Sequence, residues 1–340
     1  MATINEVAKL AGVAPITVSR VINHSGYYSE DVRERVESAI TRLGYVPNTI
    51  ARSLRSKHTQ ILALVVTDIT NPFFTLIARG VEDAASDAQY MVIFCNSDES
   101  ESEESKYLSL LVQKQVDGIL LVPTQKGSGV VKMIQARGIP IVLLDRRLPD
   151  VDADTVRCDT EAGAYQLVRL LIAGGHERIA IISGPEGTST ADDRLAGYCR
   201  ALEEVNLDYR ELVFRGSFNQ ENGYKKTLEI LKLIPRPSAI FAANNFIAIG
   251  AMKALRAAGQ RVPEDISLVA CDDLPEAMTI DPILTVVAQP AYQMGYQAAQ
   301  LLLSRMKSAP DSSRQELLLP TEIILRRSNA PLQKQVPSLP

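Results

Sequence analysis

From residue 61 onward, short apolar runs rich in β-branched residues alternate with longer amphipathic stretches. Strands that alternate with helices at this spacing form βαβ units, whose strands pair in a parallel sheet. Two successive series of such units predict two doubly wound α/β lobes. The predicted strands lie at 61–68, 91–98, 118–123, 140–145, 155–159, 178–184, 212–216, 239–244 and 267–273.

Residues that finish these strands are the candidates for a ligand site, because small molecules bind beyond the carboxyl ends of the strands in doubly wound sheets. They include 68–74, Asn96, 145–146, 244–245 and 272–273. A helix cap or a salt bridge is an alternative role for each acidic residue taken alone. Several polar residues at neighbouring strand ends favour a binding site.

The N-terminal residues have a different pattern, with helical spacing of apolar residues at 4–11 and again at 15–22. The two stretches are joined by a turn that contains Gly12, which is the helix-turn-helix signature. Thr3 and Glu6 have the spacing of a capping box at the start of the first helix. We therefore predict an all-α helix-turn-helix unit at the N-terminus.

A third helix is predicted to begin after Ser29, a favourable N-cap residue, and to end at Gly44. The sequence of residues 48–59 predicts a short, marginal helix that is basic on one side. Residues 1–60 contain eight Lys and Arg residues and five acidic residues, whereas the remaining 280 residues have a net charge of −7. A basic N-terminal unit on an acidic body favours a nucleic-acid-binding module.

The motifs of common enzyme classes are absent from the sequence, including GxxxxGK[ST], GxGxxG, GxSxG and HExxH. The three histidines are isolated, and the four cysteines lie far apart without a CxxC pair. Acid–base chemistry by Asp145, Asp272 and Asp273 is an alternative, but no activated nucleophile accompanies them. We expect a protein that is not an enzyme and has no cofactor and no metal site.

No apolar run reaches the roughly 18 residues that a membrane-spanning helix needs. The first residues, MATINEVAKL, also lack the apolar region of a signal peptide. We therefore expect a cytoplasmic protein that is not associated with a membrane.

Several motifs in the same order identify a resemblance that covers Thr3 to Ser328. They are VSRVIN at 18–23, GYVPN at 44–48, ARSL at 51–54, DITNPFF at 68–74, RVPEDISLVACDD at 261–273 and LTVVAQP at 284–290. In this order they closely resemble the lactose-repressor (LacI/GalR) family of transcription factors. The resemblance implies an N-terminal all-α helix-turn-helix domain, followed by an α/β periplasmic-binding-protein-like body of two doubly wound parallel-sheet lobes.

The resemblance also implies domain boundaries. The helix-turn-helix domain would span 1–47 and a hinge helix or linker 48–59. The N-terminal effector-binding lobe would consist of 60–160 and 291–322, and the C-terminal lobe of 161–290 and 323–340.

In this family the second helix enters the major groove of DNA. Arg20 can donate two hydrogen bonds to a guanine edge or contact a phosphate, and Thr17 and Ser19 suit phosphate contacts. Ile16 has no hydrogen-bonding group, so we expect it to contact a thymine methyl group; the alternative is that it packs inside the domain. Ala14 stands where the family often has serine, so a cap or a phosphate contact is absent here.

The hinge segment carries Leu54, which in the family inserts into the minor groove at the centre of the operator and kinks the duplex. The alternative is that Leu54 packs on its own domain. Residues for which the resemblance implies DNA contacts are Thr3, Pro15, Ile16, Thr17, Ser19, Arg20, Asn23, His24, Tyr45, Asn48, Ala51, Arg52, Leu54 and Arg55.

The two predicted lobes resemble ribose-binding proteins in their strand-end residues. Aromatic rings suit stacking on the apolar faces of a sugar, whereas Asp and Arg side chains suit bidentate bonds to neighbouring hydroxyl groups. Two departures are Cys271, where an aromatic residue is common, and Asn245, where Asp is common. The implied effector-binding residues are Asn71, Phe73, Phe74, Asn96, Asp145, Arg146, Arg194, Phe218, Asn244, Asp272 and Gln289.

The expected function is that of a homodimeric transcriptional repressor on double-stranded DNA, because paired operator half-sites match a two-fold dimer. The expected effector is a small sugar of the ribose or pentose type. The alternative effector is a non-sugar ligand or partner protein, such as a purine corepressor or a phosphoprotein, because the fold does not choose among them.

Overall fold

A computed structural model describes residues 2–46, 58–274, 283–307 and 313–332. The chain divides into two compact units, Met1–Thr59 and Gln60–Pro340. The predicted hinge helix falls largely on residues outside the described ranges. The same is true of five residues with implied DNA contacts, Asn48, Ala51, Arg52, Leu54 and Arg55.

The described part of the N-terminal unit contains three helices, α1 (Ile4–Ala11), α2 (Pro15–Ile22) and α3 (Glu30–Leu43). Their facing sides bury a small apolar core of Val7, Ala8, Ala11, Val18, Val21, Val36 and Ala39.

The sequence signals at the helix ends are found in the structure. The Thr3 and Glu6 side chains form the predicted capping box, and the Ser29 hydroxyl accepts a hydrogen bond from the Val32 backbone. Gly12 and Gly44 adopt the left-handed conformation that ends α1 and α3. Before α2, Ala14 makes no side-chain cap, as its residue type dictates.

The second unit contains two six-stranded sheets. In the first sheet, all strands are parallel, in the order β11-β5-β4-β3-β1-β2. Its strands are β1 (Ile61–Val66), β2 (Met91–Asn96), β3 (Gly118–Leu121), β4 (Ile141–Leu144), β5 (Asp154–Cys158) and β11 (Glu316–Leu319). The helices of this half are α4 (Pro72–Asp87), α5 (Glu101–Gln113), α6 (Ser128–Ala136) and α11 (Ala291–Arg305).

The second sheet has the order β12-β10-β9-β8-β6-β7. Its strands are β6 (Ile179–Ser183), β7 (Val213–Arg215), β8 (Ala239–Ala242), β9 (Ser267–Cys271), β10 (Thr285–Ala288) and β12 (Glu322–Ile324). All neighbours are parallel except β10 and β12, so one edge of this lobe departs from the fully parallel sheet that we predicted. The helices are α7 (Thr160–Ala173), α8 (Ser189–Glu203), α9 (Gln220–Ile230) and α10 (Asn245–Ala257), with a 3-10 turn at Arg210–Leu212.

The chain passes between the sheets three times, after β5, after β10 and after β11. Helix α11 therefore follows a strand of the second sheet, but it packs on α4 and on the first sheet. Gly80 and Gly295 allow this close packing, because a Cβ at Gly80 would fall 2.1 Å from the Tyr292 carbonyl oxygen and one at Gly295 would fall 2.0 Å from that of Ile77.

Within the described residues, no helix is both long enough and apolar enough to span a membrane. The same residues contain no group of three or more His, Cys, Asp and Glu side chains arranged to hold a metal ion.

Candidate functional site

Helix α2 presents an exposed face of apolar and polar residues at the surface of the N-terminal unit. The side chain of Ile16 is 59% exposed, which rules out the alternative that it packs inside the domain. Pro15 and Arg20 are also exposed, while Thr17 and Ser19 are half-buried. The helix is held by Val18 and Val21, which are buried, so its outer face is free of the core.

Arg20 is the cation of this face. Its side-chain stem crosses Gly26, where a Cβ would lie 3.4 Å from Arg20 Cδ. Among the described residues no carboxylate pairs with Arg20, whereas Arg33 and Arg35 on α3 pair with Glu30 and Asp31 of their own helix. The guanidinium of Arg20 is therefore available to an external acceptor.

The remaining described residues with implied DNA contacts differ in their exposure and in their hydrogen bonds. The Asn23 amide donates to the Ser19 carbonyl oxygen at 2.7 Å and to its hydroxyl at 3.2 Å. His24 is exposed and Thr3 lies at the start of α1, whereas Tyr45 is half-buried against the three-helix core. Tyr27, which the sequence did not single out, is 90% exposed.

In the second unit, a cavity of about 480 Å³ lies where the carboxyl ends of both sheets meet. This volume lies in the range of small-molecule sites. Nine of the eleven predicted effector-binding residues line the cavity: Asn71, Phe73, Phe74, Asp145, Arg146, Arg194, Phe218, Asn244 and Asp272.

Asp145 directly follows β4 and is 7% exposed. Burial raises the pKa of its carboxyl to about 6, and the charges of Asp272 and Glu99 add to the rise, while Arg146 and Arg194 oppose it. Within the described ranges, one of its oxygens, Oδ1, has no hydrogen-bond partner. A buried acceptor without a partner is costly, so this atom is suited to receive a donor from a ligand.

The two guanidinium groups of the cavity are buried and already paired. Arg146 makes a bidentate pair with Glu99, at 2.7 Å and 2.6 Å. Burial tends to raise the pKa of Glu99, but the charge and hydrogen bonds of Arg146 outweigh it, so the pKa is lowered. Arg194 donates to the Ala243 carbonyl oxygen at 2.7 Å and lies 3.5 Å from an oxygen of Asp272.

Three phenylalanine rings form the apolar part of the wall. Phe73 and Phe74 meet edge to face, with ring centroids 5.1 Å apart. The central guanidinium carbon of Arg146 lies over the Phe218 ring, 5.8 Å from the ring centroid. The Phe218 ring also packs against Gly184, the residue that follows β6. The cavity thus offers flat apolar faces beside charged groups that can form hydrogen bonds.

Asparagines join the two lobes at the cavity. Asn71 and Asn245 exchange two buried hydrogen bonds, of 3.2 Å and 3.0 Å. Asn71 also caps α4 through the Phe73 backbone amide, and Asn244 caps α10 through that of Ile247. The capping role considered for the acidic residues is thus taken by asparagines, which line the cavity as well.

Two predicted residues do not line the cavity but support residues that do. The Gln289 amide donates to Asp272 Oδ1 at 2.6 Å. The Asn96 amide oxygen accepts from the Ile69 backbone at 2.8 Å, and its nitrogen donates to Asp98 at 2.6 Å. Asn96 thus uses both polar atoms of its amide within the protein, and Gln289 uses its amide nitrogen.

The sequence did not single out other residues of the wall. They are Thr67, Asp98, Glu99, Thr190, Ser217 and Asn219. Glu99 is the most consequential, because it neutralises Arg146. The only signal for it is its place three residues beyond the end of β2.

Comparison with known proteins agrees with both units. Residues 3–48 match the family described as "Bacterial regulatory proteins, lacI family", and residues 168–329 match the "Periplasmic binding protein-like domain". A ribose operon repressor from Halalkalibacterium halodurans is 38% identical over 329 residues, which cover 96% of this chain and 97% of that protein.

Two solved structures are similar over most of the chain. The lac repressor dimer bound to operator and the anti-inducer ONPF is 26% identical, with a TM-score of 0.84, and the match covers 97% of this chain and 99% of that one. A LacI family transcriptional regulator from Enterococcus faecium with bound ribose is 30% identical, with a TM-score of 0.72, over 80% of this chain and all of that one.

The family matches and the curated relatives identify a DNA-binding transcriptional repressor with an effector-binding body, and not an enzyme. The chain belongs to the lacI family of bacterial regulatory proteins.

Proposed function

We propose that this repressor acts in the cytoplasm as a homodimer on a palindromic operator, and that its DNA affinity is controlled by a ribose- or pentose-like sugar bound in the cavity between its lobes. The sugar effector is supported by one observation, the combination of flat aromatic faces with the buried Asp145 and the guanidiniums beside it. Oδ1 of Asp145 has no hydrogen-bond partner among the described residues. The lobe and hinge boundaries given by the family resemblance belong to the same proposal.

The DNA part of the proposal rests on the outer face of α2. Ile16 is exposed and apolar, which suits a thymine methyl group, and Arg20 has no carboxylate partner among the described residues. Leu54 is the proposed minor-groove wedge and lies outside the described ranges. Two such helices on a two-fold dimer would address two half-sites of one palindrome.

The sugar part is supported by two relatives. The ribose operon repressor is 38% identical to this chain, and the Enterococcus faecium regulator holds ribose on a similar body. The Phe73, Phe74 and Phe218 rings supply the stacking surfaces, and Asp145 and Arg194 supply acceptors and donors for hydroxyl groups. These contacts are of the kind that give small-molecule sites their specificity.

The test is fluorescence anisotropy of the full chain on a short labelled palindrome with a central CG step. The titration is run in rising salt, with and without D-ribose and a panel of pentoses and hexoses. We expect tight binding with a steep salt dependence, because phosphate contacts release counterions. We also expect one sugar of the panel to change the operator affinity at least about tenfold, a coupling of about 1.4 kcal/mol.

Two variants separate the halves of the proposal. Arg20→Ala should weaken operator binding, while the sugar still binds in calorimetry. Asp145→Ala should bind operator but respond to no sugar. Operator binding that no sugar changes would reject the sugar effector and favour a purine or a partner protein, whereas no preference for palindromic DNA would reject the operator function.

A further inference from the structure

The effector cavity has an excess of negative charge. Five carboxylates line it, those of Asp68, Asp98, Glu99, Asp145 and Asp272, against the two guanidiniums of Arg146 and Arg194. A ligand with a phosphate or carboxylate group would meet this excess at short range, and the burial of Asp145 and Asp272 limits screening of their charges by water and salt.

The terminal nitrogens of both guanidiniums are already engaged, those of Arg194 by the Ala243 carbonyl oxygen and by Asp272. Both terminal nitrogens of Arg146 are within 2.7 Å of the Glu99 carboxylate, and the Arg146 side chain is 6% exposed. A phosphate could use the terminal nitrogens of Arg146 only by displacing the Glu99 carboxylate, whose side chain is 44% exposed, and holding it beside a new negative charge. Such a displacement is unfavourable, because it breaks the bidentate pair of a buried guanidinium and brings two negative charges together.

Glu99 is held in place by its backbone. Its amide donates to the Thr67 carbonyl oxygen at 3.2 Å, and its φ is +56°, in the left-handed region. The turn between β2 and α5 therefore aims the carboxylate at Arg146 across 47 residues of sequence. This arrangement fixes the pair before any ligand enters.

Some buried polar atoms of the cavity have no hydrogen-bond partner among the described residues, and they are suited to a ligand that is not an anion. Asp145 Oδ1 is an acceptor that needs a donor, whereas the Nε atoms of Arg146 and Arg194 are donors that need acceptors. A hydroxyl group can donate and accept at once, but a phosphate dianion only accepts. A polyhydroxyl ligand can therefore satisfy both kinds of atom.

We infer that this cavity takes an uncharged polyhydroxyl ligand and excludes its phosphorylated or acidic counterpart, and that Glu99 is the specificity-determining residue that enforces this exclusion by occupying Arg146. The inference deepens the proposed function, because it rests on the same effector site. It makes the repressor a sensor of a free sugar, upstream of any reaction that phosphorylates it.

The test compares binding of D-ribose 5-phosphate and inorganic phosphate to the full wild-type chain and to Glu99→Gln, by isothermal titration calorimetry at constant ionic strength. Wild type should show no saturable cavity binding of either anion up to about 10 mM. Glu99→Gln keeps the size of the side chain but removes the negative charge that neutralises Arg146, and it should bind ribose 5-phosphate at least about tenfold more tightly than wild type does.

Glu101→Gln is the matched control, because it removes the same charge two residues along the chain from a side chain that does not line the cavity. It should behave as wild type. Phosphate binding elsewhere on the protein should be the same in the two variants, so it cancels when their affinities are compared. A gain in Glu101→Gln equal to that in Glu99→Gln, or no gain in either, would overturn the role of Glu99.

A second measurement stays informative even where Glu99→Gln fails to fold. Wild type is titrated with D-ribose and with D-ribose 5-phosphate in parallel, and binding of the phosphate ester as tight as that of the parent sugar, or tighter, would overturn the inference. If no free sugar affects operator binding but Glu99→Gln gains the anion as described, the sugar proposal fails while the charge selection stands.

Discussion

Asp145 and Asp272 occupy equivalent places in the two lobes, one directly after β4 and the other directly after β9. Each has a left-handed backbone, with φ values of +63° and +66°, and each is 7% exposed. This conformation is uncommon for residues other than glycine and is found at ligand sites, where the surrounding structure enforces it. Both lobes thus use the same bend at a strand end to turn a carboxylate into one cavity.

Asp145 should make effector binding depend on pH. Burial raises its pKa to about 6, in the presence of Arg146, Arg194, Asp272 and Glu99 around it. A sugar hydroxyl that donates to the ionised carboxylate favours that form, so affinity should fall as the pH is lowered through about 6. Calorimetry with D-ribose from about pH 5 to about pH 8 measures this, and the dependence should be lost in Asp145→Asn.

The stability of the ligand-free protein should depend on pH in the opposite direction to the sugar affinity. A raised pKa means that the folded state holds the proton more tightly than the unfolded state, so this carboxyl lowers the free energy of unfolding as the pH rises from about 4 to about 6. Sugar affinity that is constant across the whole pH range would contradict the contact with Asp145.

Gly184→Ala should weaken effector binding through Phe218. A Cβ at Gly184 would fall 2.2 Å from Phe218 Cζ, so the ring must leave its place on the cavity wall. We expect a loss of sugar affinity of about tenfold or more, since the aromatic stacking surface moves. Gly129→Ala on α6 is the control, because a Cβ added there would meet no atom within 4 Å, and it should bind sugar as wild type does.

The amide pair between Asn71 and Asn245 should couple the two lobes energetically. Its two hydrogen bonds are buried, so Asn71→Ala and Asn245→Ala should each lower the free energy of unfolding by about 1–3 kcal/mol. A double-mutant cycle in urea should return a coupling energy of about 1 kcal/mol. The Asn71 variant also loses the cap on α4, which the cycle removes; additive effects would show that the pair is not coupled.

Ile16→Gln should change base preference at one operator position, from thymine towards adenine. The side chain is 59% exposed, so the domain should keep its stability, while glutamine can make a bidentate pair with an adenine edge. Competition binding with operators varied at each position measures the change, which should be about 1–3 kcal/mol at the affected base pair. Unchanged preference at every position would reject base readout by Ile16.

The strand-end rule predicted most of the cavity because it depends only on topology. Asp145, Asn244 and Asp272 follow buried strands whose apolar, β-branched runs are plain in the sequence. Gln289, which the family resemblance implied, lies behind Asp272, because which side chain reaches the cavity depends on rotamers and neighbours that the pattern does not encode.

Other features had no sequence signal. Glu99 pairs with a residue 47 positions away, and nothing local reveals the partner. The antiparallel pairing of β12 with β10 involves only three residues of each strand, which is too short for a periodic pattern. The helix-turn-helix unit was predicted to the residue at several caps, because Thr3, Ser29 and Gly44 act through local hydrogen bonds and backbone angles.

The most direct test of control by the cavity is the affinity of D-ribose for the free chain and for the chain saturated with operator. Linkage requires that operator change the sugar affinity by the same factor by which the sugar changes the operator affinity. We predict equal factors, at least about tenfold, in calorimetry and in anisotropy. Sugar affinity that is the same with and without operator would contradict the account, because ligand binding between the lobes would then carry no information to the DNA.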